Sequence, residues 1–298
     1  MPHQDASLFV IATPIGNLKD ITLRALEVLA QVDVVVSEHT RKTRNLLDHF
    51  GIPTRVMSYR EANAERMGEA IVHMLGEGKR VALVAEAGTP GVSDPGRLLV
   101  RGVRERGFPV VPVPGPSALA AAVSISGLDE PRFIFEGFLP RKGAKRRQRL
   151  RELSPDARAI VVFEAPHRLL ECLRDMEQML GDRQCVICRE LTKLHEEVER
   201  ASLSQLISKY EARRPLGEFV IMCEGAGGQG SDVGGPESGS FDEAVREARG
   251  LVGGGRRKTE AAKMVEKKYR LERGAIYKAL VGKADVGRGR SGRKGVTP

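Results

Sequence analysis

Short apolar runs alternate along the chain with segments whose apolar positions recur every three or four residues. LFVIAT (Leu8 to Thr13), VDVVVS (Val32 to Ser37), VALVA (Val81 to Ala85) and VVPV (Val110 to Val113) are predicted strands, each followed by a polar or Gly/Pro loop and a helical pattern. Leu23, Leu26 and Leu29 mark the first of those helices. Strand and helix in strict alternation are the pattern of a parallel sheet, so residues 7–130 are predicted to form an N-terminal α/β domain. The same alternation resumes near Phe133. Strands are predicted around Phe133 to Glu136, Ala159 to Phe163, Cys185 to Arg189 and Phe219 to Cys223, and helices around Arg168 to Leu180 and Leu203 to Arg213. Residues 131–224 then make a second α/β domain in tandem with the first.

The pattern stops at residues 225–240, GAGGQGSDVGGPESGS, where seven glycines and almost no apolar side chain leave nothing to offset the entropy of ordering. A flexible linker is predicted there. Beyond it, Phe241, Ala244, Val245, Ala248 and Leu251 keep helical spacing; a second helix is predicted with Thr259 as N-cap through Ala262, Val265 and Tyr269, and a third with Ile276, Tyr277 and Leu280. With Lys263, Lys267, Lys268, Arg270, Arg273 and Lys278 on polar faces, residues 241–283 read as a basic helical module of helix-turn-helix type. Residues 284–298 read as a disordered basic tail.

Charge sharpens this division. Residues 241–298 carry 16 Lys/Arg against 7 Asp/Glu, whereas residues 1–240 carry 32 of each, so the whole net charge of +9 sits in the C-terminal module. A neutral body with a basic extension points to a polyanionic partner. No run of about 18 apolar residues is present, and Met1 to Ser7 lacks the basic and apolar regions of a signal peptide, which argues against membrane spanning and secretion. The four cysteines lie in apolar runs and fit a reducing compartment, so the expected location is the cytoplasm. Cys185 and Cys188 have C-x-x-C spacing, but in a strand they face opposite sides and no second pair exists. His39, His49, His73 and His195 share no metal-ligand spacing, and a metal-free protein is expected.

Four loops follow predicted strand ends, where open α/β sheets hold ligands. They are TPIGN (Thr13 to Asn17), SEHTR (Ser37 to Arg41), EAGTPGVSDPG (Glu86 to Gly96) and PGPS (Pro114 to Ser117). Glycine lets a ligand approach the backbone and proline holds the loop preformed, a combination suited to a flat, polar, nucleoside-like ligand. GxxxxGK[ST] does not occur, and none of these four loops carries GxGxxG. A second candidate surface lies between Arg141 and Arg151, where Arg141, Lys142, Lys145, Arg146, Arg147, Arg149 and Arg151 stand without an acid among them. Such a cluster repels itself unless it is solvated or faces phosphate, and phosphate contact is the reading adopted. With no Trp and only four Tyr, stacking of single strands has little support.

TPIGNLKDITLRALEVL, EHTRKTRNLLDHFGI, EAGTPGVSDPG, VPVPGPSA, FEGFLPRKG, FEAPHRL, RELTKLHEE and GEFVIMCEG, in colinear order over residues 7–225, resemble the ribosomal RNA small subunit methyltransferase I family of the tetrapyrrole methylase superfamily. The resemblance implies two tandem α/β domains of that type. It also implies S-adenosyl-L-methionine as cofactor, a homodimer, and methylation of the ribose 2′-hydroxyl of a cytidine in the decoding region of 16S rRNA in the small ribosomal subunit. By the family pattern, cofactor contacts fall on Pro14, Glu86, Ala87, Gly88, Thr89, Asp94, Pro114, Gly115, Ser117 and Ala118, with Phe163, Glu164 and the Gly217-Glu218-Phe219 strand closing from the second domain.

Methyl transfer needs the donor and the ribose oxygen aligned and a proton removed. The matching motifs offer Glu38, His39, Arg41, Glu190 and Lys193 as catalytic candidates, and no spacing among them decides the role. His167 and Arg168, after Pro166, read as a helix start. The chain departs from the family where E-D-T-R is usual and it has Glu38-His39-Thr40-Arg41. It departs again where S-D-A-G-T-P is usual and it has Ala85-Glu86-Ala87-Gly88-Thr89-Pro90, and at Arg60-Glu61-Ala62-Asn63 in place of H-E-H-N. Two other functions fit the residues less well. One is a non-catalytic RNA-binding or ribosome assembly factor on the same fold; the other is a tetrapyrrole methyltransferase, which leaves the basic segments unexplained.

Overall fold

The computed structural model describes residues 6–94, 96–227, 238–269 and 273–281. Most of the predicted linker and the predicted basic tail lie outside the described residues, as does Arg270. The chain divides into two compact units, Met1–Gln229 and Gly230–Pro298.

Within the first unit one sheet is wholly parallel. Its strands are β1 (Leu8–Ile11), β2 (Val34–Ser37), β3 (Arg55–Ser58), β4 (Val81–Val84) and β5 (Val110–Val113), in the order β3-β2-β4-β1-β5. The crossovers carry α1 (Leu23–Gln31), α2 (Thr40–His49), α3 (Ala64–Gly76) and α4 (Gly96–Glu105), and α5 (Ala118–Ile125) follows β5. Alternate residues feed opposite cores: Phe9, Ile11, Val35, Ala82 and Val84 pack with Ala25, Leu29 and Leu47, whereas Leu8, Val34, Val36, Val81 and Leu83 pack with Ile71, Leu75, Leu99 and Val103. Burial on both faces explains why these strands read as unbroken apolar runs.

The second sheet differs from the expected parallel pattern. Its strands β6 (Phe133–Phe138), β7 (Ala159–Glu164), β8 (Gln184–Arg189), β9 (Glu197–Ser202) and β10 (Phe219–Cys223) run in the order β6-β7-β10-β8-β9, and only β6 and β7 pair in parallel. Helices α6 (Gly143–Leu153), α7 (Leu169–Leu180) and α8 (Leu203–Ala212) cover one face through Leu150, Leu173, Met176 and Leu206. The other face, with Val161, Val186, Cys188, Val220 and Met222, packs against Ala122 of α5 and against Ile15, Ala118 and Leu119. This shared core fixes the second sheet to the loops of the first. Cys185 and Cys188 lie in the two opposite cores, and all four thiols are buried and free.

In the second unit α9 (Ser238–Gly253), α10 (Lys258–Tyr269) and α11 (Arg273–Val281) enclose Ala244, Ala248, Ala261, Ala262, Val265 and Ile276. Alanines at the contacts allow the three helices to approach closely. Because α10 begins at Lys258, Thr259 stands in its first turn and is not its N-cap. Lys263 and Lys278 are exposed. No helix among the described residues is long and apolar enough to cross a membrane, and no group of three metal-ligating side chains occurs among them.

Candidate functional site

The carboxyl ends of β1, β2, β4 and β5 carry the four loops singled out in the sequence, and backbone bonds lock three of them together. Thr13 and Gly88 exchange two hydrogen bonds, N–H to carbonyl, of 2.9 Å each, and Gly88 takes φ +75° to do so. The Thr89 hydroxyl donates to the Pro116 carbonyl (3.1 Å), and Ser117 Oγ caps α5 by accepting from Ala120 N–H (3.4 Å). Asp94 Oδ1 accepts from Gly91 N–H (2.8 Å) and Gly96 N–H (2.7 Å), closing the turn into α4. These bonds tie the loops to one another and to the helices that follow them.

Between these loops and the second sheet lies a cavity of about 450 Å³, within the size range of small-molecule sites. Glu38, Glu86, Ala87, Gly88, Thr89, Asp94, Ser117 and Ala118 line one side; Phe163, Glu164 and Glu218 line the other. Pro14 lines instead an adjoining pocket of about 270 Å³ that shares Ala85 and Glu86 with the first. Pro114 and Gly115 are absent from both linings. Gly115 is packed just beyond β1, where a Cβ would stand 3.2 Å from that of Ala12, so its role is to let the two loops lie close together. Sequence reasoning missed Ile15, Val92, Phe138, Cys188 and Leu191, which supply much of the apolar wall. Phe163 stacks edge-on with Phe135 and Phe138 at centroid distances of 5.0 and 5.8 Å.

The lining is acidic. Among the described residues Glu38, Glu86, Asp94, Glu164 and Glu218 face the cavity and no Lys, Arg or His does. Four of these carboxylates have partners behind the wall. Glu86 is held by His39 Nδ1 (2.8 Å) and by Lys42, Glu218 by Lys193 (3.0 Å), Asp94 by the two glycine amides, and Glu164 by Ala165 N–H (2.8 Å) and Arg168 (3.3 Å). Glu164 is buried and its Oε2 accepts no hydrogen bond; the Cys172 thiol alongside is pushed well above its usual range, by burial first and by this carboxylate second. The Glu38 carboxylate has no ion-pair or hydrogen-bond partner among the described residues, although its backbone carbonyl accepts from Arg60 (3.0 Å).

The five catalytic candidates fall into two groups. Glu38, His39 and Arg41 follow β2: Glu38 lines the cavity, His39 braces Glu86 behind it, and Arg41 is exposed on α2. Glu190 and Lys193 belong to a turn after β8 in which Glu190 (φ +50°) and Thr192 (φ +66°) take left-handed backbone. Lys193 donates to Glu190 Oε1 (2.8 Å), and the same oxygen accepts from Glu218 N–H (2.9 Å). Burial alone would raise the Glu190 carboxyl, but the Lys193 and Glu218 bonds outweigh it and hold it below the usual range; Lys193 is raised against its own desolvation by Glu190 and Glu218. These two residues therefore support Glu218 at the rim.

The arginine-rich segment is α6 and the turn before it. Arg141, Lys142 and Lys145 are exposed, but Arg146 is completely buried and pairs with Asp175 (2.6 Å), which also binds Arg147 (3.1 Å). Arg146 is thus corrected from a phosphate contact to an interior ion pair. Arg149 is likewise occupied, by Glu136 and Glu152.

The tetrapyrrole (corrin/porphyrin) methylase model matches residues 7–207. A ribosomal RNA small subunit methyltransferase I of Thermotoga maritima is 47% identical over 218 residues, covering 73% of this chain and 98% of that one. One from Synechocystis sp. is 41% identical over 273 residues, covering 91% and 95%. The chain belongs to the ribosomal RNA small subunit methyltransferase I family. Solved structures share the fold: the methyltransferase CobJ and diphthine synthase each align with TM-score 0.57, at 17% and 18% identity, over 74% of this chain and 95% and 90% of theirs.

The methyl donor of this family is S-adenosyl-L-methionine, and the cavity suits it. A sulfonium and an ammonium are both cationic, and the charged side chains of the wall are all carboxylates. Gly88 brings backbone to the wall at a place where a Cβ would press on Ile15 (3.2 Å). Apolar Ile15, Phe163, Leu191 and Val220 complete a surface on which a purine can rest.

Proposed function

We propose that this protein uses S-adenosyl-L-methionine to methylate the RNA of the small ribosomal subunit, at the ribose 2′-hydroxyl of a cytidine in the decoding region. The observation that carries the reading is the acid-lined cavity at the carboxyl ends of a parallel sheet, closed by the second sheet. The relatives' names support the RNA substrate.

Bound S-adenosyl-L-methionine supplies a methyl group already activated by its sulfonium. What remains for the protein is alignment and proton removal. Glu86, Thr89, Asp94 and Ser117 hold the loops that orient the donor, and the apolar wall excludes water. Glu38, the cavity carboxylate without a protein partner among the described residues, takes the proton from the ribose hydroxyl; Glu190 and Lys193 fix Glu218 and shape the rim. Exposed Arg141, Lys142 and Lys145 contact RNA phosphates, and the basic C-terminal module adds further contacts. The working form is a homodimer, to be checked by sedimentation.

Calorimetry should show micromolar binding of S-adenosyl-L-methionine, abolished in an Ala87→Arg variant that fills the cavity. Purified 30S particles should then receive one methyl group, found on a cytidine ribose after nuclease digestion and mass spectrometry. Cofactor binding without methyl transfer to 30S particles would overturn the RNA assignment, and no cofactor binding would overturn the enzyme assignment and favour an RNA-binding assembly factor.

A further inference from the structure

Beside the cofactor cavity lies the smaller pocket of about 270 Å³, whose wall includes Pro14, Leu18, Lys42, Asn45, Leu46 and Glu86. Three of its properties point to a ligand. First, Ala85 and Glu86 are common to both linings, so an occupant of the smaller pocket lies one side chain away from the donor cavity. Second, Pro14, Leu18 and Leu46 offer apolar surface, with Leu18 41% exposed at the mouth. Third, the exposed Asn45 amide makes no hydrogen bond to another described residue, whereas its neighbour Thr43 is buried and committed to Ser37 Oγ (2.6 Å). Asn45 thus brings a free donor and a free acceptor to an apolar pocket, the pairing that reads the edge of a nucleobase.

We infer that this pocket is the acceptor subsite, taking one nucleoside unstacked from the substrate RNA, with its base against Leu18 and Leu46 and its edge on the Asn45 amide. The inference rests on the reading of the chain as an RNA methyltransferase. Bases held for chemistry are drawn out of their stack into such pockets, and polar contacts to the base edge supply the selectivity. Arg41, exposed in the first turn of α2 one turn before Asn45, places positive charge where the flanking phosphates run. Glu86, bridged by His39 and Lys42, borders both pockets, so its two braces set how closely the two ligands meet.

The test compares the parent with Asn45→Ala and Leu46→Trp. Asn45 is exposed and its removal leaves the fold intact, whereas the tryptophan fills the pocket. Three quantities are read: affinity for S-adenosyl-L-methionine, kcat and KM for 30S particles, and binding of cytidine 5′-monophosphate by ligand-observed NMR with the cofactor present. Both variants should keep cofactor affinity within about twofold, fall about tenfold or more in kcat/KM, and give no cytidine monophosphate signal. Parent-like kcat/KM and nucleotide binding in both variants would overturn the assignment. Collapse of cofactor affinity in both would also overturn it, by giving the pocket to the donor. If the parent binds cytidine monophosphate through Asn45 and Leu46 yet methylates no 30S RNA, the subsite stands and the proposed substrate falls.

Discussion

Gly16, in the loop after β1, lies flush against the Lys193 side chain, so close that a β-carbon at position 16 would fall inside it. The same β-carbon would stand 2.8 Å from Thr192 Oγ1 and 3.0 Å from the Leu191 carbonyl. The first sheet's loop is therefore seated on the left-handed turn of the second with no room for a side chain. Lysine can move, but the Leu191 backbone cannot. Gly16→Ala should destabilise the first unit by about 1–3 kcal/mol, the usual cost of overpacking. Chemical denaturation checks the stability, and calorimetry should show weaker cofactor binding because Leu191 lines the cavity.

The Arg146–Asp175 pair gives the sharpest test of interior against surface charge. Asp175→Leu leaves the buried Arg146 guanidinium with only the largely exposed Glu171 (3.0 Å) as partner and should cost about 3–5 kcal/mol, whereas Arg146→Met with Asp175→Leu should return close to the parent. Unfolding midpoints of the two singles and the double decide this. A phosphate-binding Arg146 would give weaker RNA binding with unchanged stability instead.

His39 and Glu86 replace two residues that are usually aspartates in the family, and they face each other across 2.8 Å. The departures are a matched pair. His39→Asp sets two carboxylates side by side and should weaken cofactor binding more in the Glu86 parent than in a Glu86→Asp background, where the shorter chain retreats. A double-mutant cycle on cofactor affinity should yield a coupling of about 0.5 kcal/mol or more; simple additivity would show the two changes to be independent.

Acid should loosen the rim before it unfolds the sheet. Glu190 is held below its usual range, so its contribution is complete at neutral pH and disappears as pH falls through its lowered folded value. Lys193 is raised, so its contribution holds through neutrality and fades only in strong alkali. Glu190→Gln should therefore lower stability at pH 7 and narrow its gap to the parent in acid, followed by thermal melts across pH.

Neutralising Arg141, Lys142 and Lys145 together should leave cofactor affinity unchanged and reduce the slope of log K for 30S binding against log salt by about 1 for each phosphate that the three cations had neutralised. A slope equal to that of the parent would place the RNA elsewhere.

Strands β1, β2, β4 and β5 are legible in the sequence because two buried faces leave an unbroken apolar run. The edge strands β3 and β9 are not. Glu197, Glu199 and Arg200 on β9 are spent on ion pairs with Arg189, Lys209 and Glu224, and such charges disguise a strand while protecting its edge. Strand direction in the second sheet also escapes a sequence reading, since apolar runs carry no sign of which neighbour they pair with. At the site the Gly/Pro loops announce one wall, but Cys188 and Leu191 on the other side look like any core residue. Composition misreads Arg146 although its spacing holds the answer: it shares a helical stripe with Leu150 and Leu153, both buried.

Strand β1 precedes both of its partners in the chain yet lies inside its sheet, between β4 and β5, with Leu8 registered against both Val81 and Val110. During translation its apolar residues must wait until β4 and then β5 have been made. At about 5–20 residues per second the second partner arrives roughly 5–20 s later. Through that interval the nascent chain carries an unpaired, sticky strand, and the demand it places on early chaperone contact is set by topology, not by the strength of the finished core.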